Sequence, residues 1–234
     1  MKIYDQDMIE AKKILRSKSK NYKENFKKIK KFIEQEVQEI KNSTSSIVPE
    51  INFKDLNKSD SIKTMNAIKK RGCVVIRDVF DDSKVKEWNS DIEKYIKKNN
   101  YYELQKEKAG LDNYFSDLKS GKPQIFGLYW SKTQTEIRQS NELDLVKKWI
   151  NNIWNYKYDD HQVFDPNKEL IYADRVRRRE PGDSTLGLSP HCDAGSIERW
   201  IESNYQKIYD KVFSDQFEEY DPFEAKYRDK TDLI

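Results

Sequence analysis

The sequence predicts an α+β protein: helices first, then short strand segments separated by turns. Three observations predict it. Apolar residues recur at three- and four-residue steps over the first forty positions and again over 57–71, 82–98 and 136–154. Short β-rich runs, Cys73–Ile76 and Gln124–Trp130, stand between them. From Glu169 to Glu180 apolar and charged residues alternate, as on an extended chain with two faces.

Taken in order, residues 1–44 form a Lys- and Glu-rich segment in which Ile9, Leu15, Phe26, Ile29, Phe32, Ile33, Val37 and Ile40 make a narrow apolar stripe. The pattern predicts one or two amphipathic helices, a solvated arm dispensable for the stability of the rest. A basic membrane-surface helix is the sharper reading, and Glu24, Glu34, Glu36 and Glu39 interrupt the charge it would need. Asn42-Ser-Thr-Ser-Ser46 then reads as a linker, so residues 45–234 are the main domain. A helix over 57–71 is stopped by Gly72, Asp82 and Ser83 cap the next, and 101–123 reads as loop. Pro181-Gly-Asp-Ser184 is a turn, Leu186 to Asp193 a further short extended segment, and the pattern after Gly195 is helical.

Composition narrows the function. The 234 residues carry 44 Lys and Arg against 41 Asp and Glu, for a net charge of +3. A balance so close, with the signs interspersed, argues against a nucleic-acid partner. Cys73 and Cys192 fit no zinc spacing, and two thiols with no apolar leader at the N-terminus fit a reducing compartment, the cytoplasm. The aliphatic run Val74–Ile76 is far too short to span a bilayer, so no membrane partner is expected.

Two features carry chemistry. His191-Cys192-Asp193 is an H-x-D triplet. Residues two apart on an extended segment point the same way, so a His nitrogen and an Asp oxygen can grip one metal. Non-haem Fe(II) oxygenases use two His and one carboxylate on one face of the metal. By itself the triplet equally suits a packing or surface histidine. Nearby, Asp174-Arg-Val-Arg-Arg-Arg179 is either a charged strand edge or, through Arg175 and Arg177, a fork for a dicarboxylate. His161, in Asp159-Asp-His161, reads as solvated loop, and Cys192 as packing.

Several blocks taken together resemble a known family. Lys70-Arg-Gly-Cys-Val-Val-Ile76, Leu128-Tyr-Trp-Ser131 with Arg138-Gln-Ser140, Ile171-Tyr-Ala-Asp-Arg-Val-Arg-Arg-Arg179, Gly187-Leu-Ser-Pro-His-Cys-Asp193 and Glu198-Arg-Trp200 are similar, in order, to the YbiU-like family, domain of unknown function 1479. Val212-Phe213, Tyr220-Asp-Pro-Phe223 and Arg228 continue the likeness. The resemblance implies the double-stranded β-helix (jelly roll) of 2-oxoglutarate and Fe(II)-dependent oxygenases. His191 and Asp193 would be its first two iron ligands, and a later His and Arg would complete the site. No His follows His191, and after Glu198-Arg-Trp200 the only Arg is Arg228. A closed barrel of this kind needs about eight strands, more than the sequence supplies. The expectation is therefore an incomplete, N-terminal half of such a domain. Its cofactors would be Fe(II) and 2-oxoglutarate, with Arg175 and Arg177 as candidate cofactor-binding residues and a small-molecule substrate undefined. It would be inactive alone, with a separately encoded C-terminal half as its expected partner. The alternative is a non-catalytic remnant or binding protein of the same fold.

Overall fold

The computed structural model describes residues 3–58, 61–107, 125–182, 202–229 and 231. Two helices open the chain, α1 (Ile3–Ser17) and α2 (Tyr22–Asn42). There follow β1 (Glu50–Asn52), α3 (Ser61–Arg71), β2 (Val75–Arg77), α4 (Asp82–Lys98) and α5 (Tyr101–Glu107). Next come β3 (Ile125–Phe126), α6 (Lys132–Arg138), α7 (Asn141–Asn151), the hairpin β4 (Lys157–Tyr158) and β5 (His161–Gln162), β6 (Val176–Arg177) and α8 (Ser203–Ile208). The architecture is mixed α and β. Among the described residues the strands form three two-stranded sheets: β1 parallel to β2, β3 antiparallel to β6, and β4 antiparallel to β5. No helix among the described residues is long and apolar enough to cross a membrane.

The core lies where β1, α3 and α7 meet. Ile51, Leu56, Ile68, Val146, Trp149 and Ile153 are buried together, with Val74, Ile76 and Phe223 packed against them. The sequence dictates this locally. Ile68 sits on the apolar side of α3, which Gly72 terminates at φ +71°, its N–H donating to the Ile68 carbonyl at 2.7 Å. The chain then turns straight into β2 beside β1.

Four expectations are corrected. The segment 136–154 is two helices, not one. Ser140 breaks it, its Oγ accepting from the Leu143 N–H as the cap of α7. Of the stretch Glu169–Glu180 Val176–Arg177 is the strand, and among the described residues Ile125–Phe126 is the ladder it pairs with. Leu170, Ile171 and Tyr172 are exposed there. Residues 101–107 are helical rather than loop. The loop around His161 is a hairpin, turned at Asp159 with φ +49°.

The N-terminal arm is tied to the body at both ends of α2. The Asp215 carboxylate accepts hydrogen bonds from Ser19 Oγ, the Lys20 and Asn21 N–H groups, and Asn25 Nδ2. These bonds hold its pKa below the ordinary carboxylate value, the Ser19 bond contributing most. It caps α2 from about 190 residues away in sequence. At the other end Arg71 pairs with Glu36 at 2.8 Å and with Glu39 at 3.2 Å. These contacts tether both ends of α2 to the body, while α2 itself buries none of its residues.

Candidate functional site

Two of the distinctive blocks, Leu128–Ser131 with Arg138 and the stretch that holds Asp174, are brought together in space. Ser131 and Gln134 form a reciprocal capping box at the start of α6: the Gln134 N–H donates to Ser131 Oγ, and the Ser131 N–H donates to Gln134 Oε1. The other end of the Gln134 amide spans the fold. Its Nε2 donates to the Leu128 carbonyl at 2.9 Å and to the Asp174 carbonyl at 3.0 Å. One turn further along α6, Arg138 donates to Asp174 Oδ1 at 2.5 Å and to the Tyr129 carbonyl at 2.8 Å. Its guanidinium also lies 4.7 Å from the centre of the Trp130 ring. Ser131, Thr133 and Gln134 are buried, which is uncommon for polar side chains and tolerable because Ser131 and Gln134 satisfy each other. The result is a polar clamp that joins Leu128–Ser131, α6 and Asp174.

The clamp fixes where the arginine cluster begins. Arg175 is exposed and lies over the Tyr129 ring at 5.4 Å. Arg177, also exposed, pairs in the ladder with Ile125 and makes no ion pair among the described residues. Arg178 is committed: its guanidinium donates to Glu93 at 2.5 Å and lies 3.3 Å from Glu180. The Glu93 hydrogen bond raises its pKa further above the ordinary arginine value. Beside this strand, between α4 and α6, is a cavity of about 330 Å³ walled by Phe80, Trp88, Ile92, Ile137 and Val176, with Arg177 on its lining. That is within the size of small-molecule sites, which are mostly apolar with a few convergent polar groups. The Trp88 indole N–H on its wall is satisfied by Glu136 at 2.9 Å.

His191 and Asp193, the expected metal pair, lie outside the described residues, as does Cys192 between them. The expectation that Arg175 and Arg177 face the same side as His191 depends on His191 and so also lies outside the described residues. Among the described residues no group of three or more His, Cys, Asp or Glu side chains stands in position to hold a metal ion. His161 is no substitute. Its Nε2 is bonded to Asp229 Oδ1 at 2.9 Å, and that carboxylate is also bonded by the Tyr158 hydroxyl. These two contacts, Tyr158 first, hold the Asp229 pKa below its ordinary value. His161 thus closes a surface hairpin. The described residues do not by themselves make an iron site. What sequence reasoning missed was Gln134 and Arg138 as the clamp, although Ser131-x-x-Gln134 is a legible capping signal.

Comparison with known proteins shows what the chain is similar to. A family described as Gig2-like matches residues 3–233. The Escherichia coli K12 protein YbiU, itself uncharacterised, is 32% identical over 194 residues, which is 82% of this chain and 46% of that protein. The solved structure of the "Putative Oxidoreductase" from Salmonella typhimurium LT2 is 32% identical, with a TM-score of 0.79 over 94% of this chain and 54% of that one. The GlcNAc Inducible Gene 2 protein of Candida albicans shares the fold at 24% identity, with a TM-score of 0.74 over 94% of this chain and 46% of that one. The chain spans about half the length of the relatives it matches.

Proposed function

The chain belongs to the Gig2-like family, and from that premise we propose that it carries one half of a non-haem Fe(II), 2-oxoglutarate-dependent oxygenase site. On this reading His191 and Asp193 hold the iron from one side, which is what an H-x-D pair on an extended segment can do. The third ligand and a second carboxylate-binding arginine come from sequence corresponding to the part of the relatives that this chain does not span. The jelly-roll barrel is completed by the same sequence, against the uncovered stretch Leu170–Tyr172. Bound iron would supply the oxygen-activating chemistry.

This chain's own contribution is positioning. The clamp of Gln134 and Arg138 on Asp174 holds the start of the arginine cluster, and Arg177 is the cation best placed to take an acidic group. Arg178 is spent on Glu93 and Glu180, and Arg175 is stacked on Tyr129. A planar guanidinium beside an apolar cavity suits one carboxylate of a small dicarboxylic acid. The Salmonella relative carries the name of an oxidoreductase, which agrees with the reaction class.

The observation that carries the reading is the convergence of Leu128–Ser131, Gln134, Arg138 and Asp174 on one clamp, at the start of the stretch that carries Arg177 and precedes the H-x-D pair in sequence. The test is succinate release with Fe(II), ascorbate and 2-oxoglutarate. The chain alone should release none, since one metal ligand is missing and even losses among the groups supporting the ligands cost roughly 10–100-fold. Adding a polypeptide that covers the missing part should restore release, and His191→Ala should abolish it. Restored protein that binds neither iron nor 2-oxoglutarate would favour a non-catalytic binding role for the fold.

A further inference from the structure

Helix α2 presents an apolar seam that nothing in the described structure covers. Phe26, Ile29, Ile33, Val37 and Ile40 are between 38 and 67% exposed, and the helix buries none of its residues. Single exposed apolar residues are ordinary, but a continuous row of five along a helix of about 30 Å marks an interaction surface. The helix is also presented rigidly, since Asp215 anchors its first turn while Lys70 and Arg71 hold its last turns through Glu36 and Glu39. Those tethers lie on the flank carrying Asn25, Glu36 and Glu39 and leave the seam free.

The spacing of the seam says what fits it. The five positions step by three, four, four and three residues. Phe26 to Val37 and Ile29 to Ile40 are each eleven residues, a period that suits a helix pair with a slight right-handed coil. The series reads the same in both directions about Ile33. A second α2 laid antiparallel therefore sets Phe26 against Ile40, Ile29 against Val37, and Ile33 against its own copy. This is the self-complementarity that a two-fold interface requires.

Charge selects the same orientation. Residues 22–32 carry five Lys and one Glu, a net of +4, whereas residues 33–42 carry three Glu and one Lys, a net of −2. A parallel pair would stack the two basic halves; with Glu36 and Glu39 already paired to Arg71 and Lys70 of their own chain, Glu34 is the acidic group that an antiparallel pair sets against the basic half. On the open flank Lys30 then lies beside Glu34 of the second copy, and the reverse, the arrangement by which flanking charges set orientation in helix pairs. Glu34 is held within its own helix only by a contact of 3.8 Å to Lys30. We infer that α2 is a homodimerisation helix: two copies of this chain associate through an antiparallel, two-fold pairing of their α2 seams centred on Ile33.

The inference stands apart from the oxygenase reading and is tested separately. Sedimentation velocity over a concentration series should show the full chain moving from monomer to dimer. Ile33→Glu places like charges at the two-fold axis and should leave a monomer with an unchanged circular dichroism spectrum, because Ile33 is surface-exposed. Lys30→Glu and Glu34→Lys should each weaken the dimer, and the double exchange should recover it. A chain that stays monomeric throughout, a dimer indifferent to Ile33→Glu, or an α2 that binds phosphatidylserine vesicles in place of its own copy would each overturn it.

Discussion

Replacing Gln134 with Leu removes the amide half of the clamp, leaving the Arg138 bonds to Asp174 and Tyr129, while nearly preserving volume. The amide satisfies three backbone groups: the Ser131 N–H at 3.2 Å, the Leu128 carbonyl at 2.9 Å and the Asp174 carbonyl at 3.0 Å. Ser131 is buried, so its N–H would be left without water or partner, at a cost of about 1–3 kcal/mol. The two carbonyls are nearer solvent and each lose about 0.5–1 kcal/mol. Leu recovers a little by apolar burial. The expected net loss is about 2–4 kcal/mol, or a melting temperature lower by roughly 5–15 °C for a chain of this size. Urea unfolding followed by circular dichroism measures it. Gln139→Leu, the same change at an exposed position five residues along, is the control and should stay within about 0.5 kcal/mol. If Gln134→Leu matches that control, the hydrogen bonds to Leu128 and Asp174 do not hold the site together.

Three further outcomes follow from particular contacts. Trp149→Phe should cost much less than the roughly 3–5 kcal/mol of Trp149→Ala, because the buried indole N–H has no partner among the described residues and its removal offsets lost packing; thermal melts of both variants compare them. Asp215→Ala should loosen the junction of α1 and α2, read as faster limited proteolysis near Ser19–Asn21, and unchanged cleavage would mean that other contacts hold the arm. Burial, first, and neighbouring tyrosines push Tyr220 up from 10.0 to about 12. Its neutral form is the one favoured in the folded state, so the stability it contributes is intact below about pH 10 and lost as pH rises from 10 towards 12. Tyr220→Phe should flatten that alkaline limb in a stability–pH series, and an identical limb would contradict the assignment.

Much of the helical framework was legible because helices announce themselves locally. Gly72 stops α3, and the apolar period of α4 matches its observed length. The errors have physical sources. Alternation over Glu169–Glu180 states which residues share a face of an extended chain, but a strand also needs a neighbour, and among the described residues only Val176–Arg177 has one. The helix break at Ser140 carries no capping-box signal, because the residue three further on is Leu143 rather than Glu or Gln, and the continuous stripe Leu143, Val146, Trp149 hides it. The Asp215 clamp joins groups about 190 residues apart, and no local pattern encodes that. At the site, Arg175 and Arg177 could be singled out as cations, but only the fold distinguishes one stacked on Tyr129 from one lining a cavity. The roles proposed for His191 and Asp193 rest on their spacing and on family resemblance.

Those two residues are the point on which everything functional turns. The most direct measurement is an anaerobic titration of the full chain with Fe(II), repeated with Co(II) as an optical probe, on the wild type and on His191→Ala, Asp193→Ala and His161→Ala. The expected result is one weakly held metal per chain, lost in the first two variants and unchanged in the third. Metal binding that survives both His191→Ala and Asp193→Ala, or that disappears with His161→Ala, would contradict the proposed half-site.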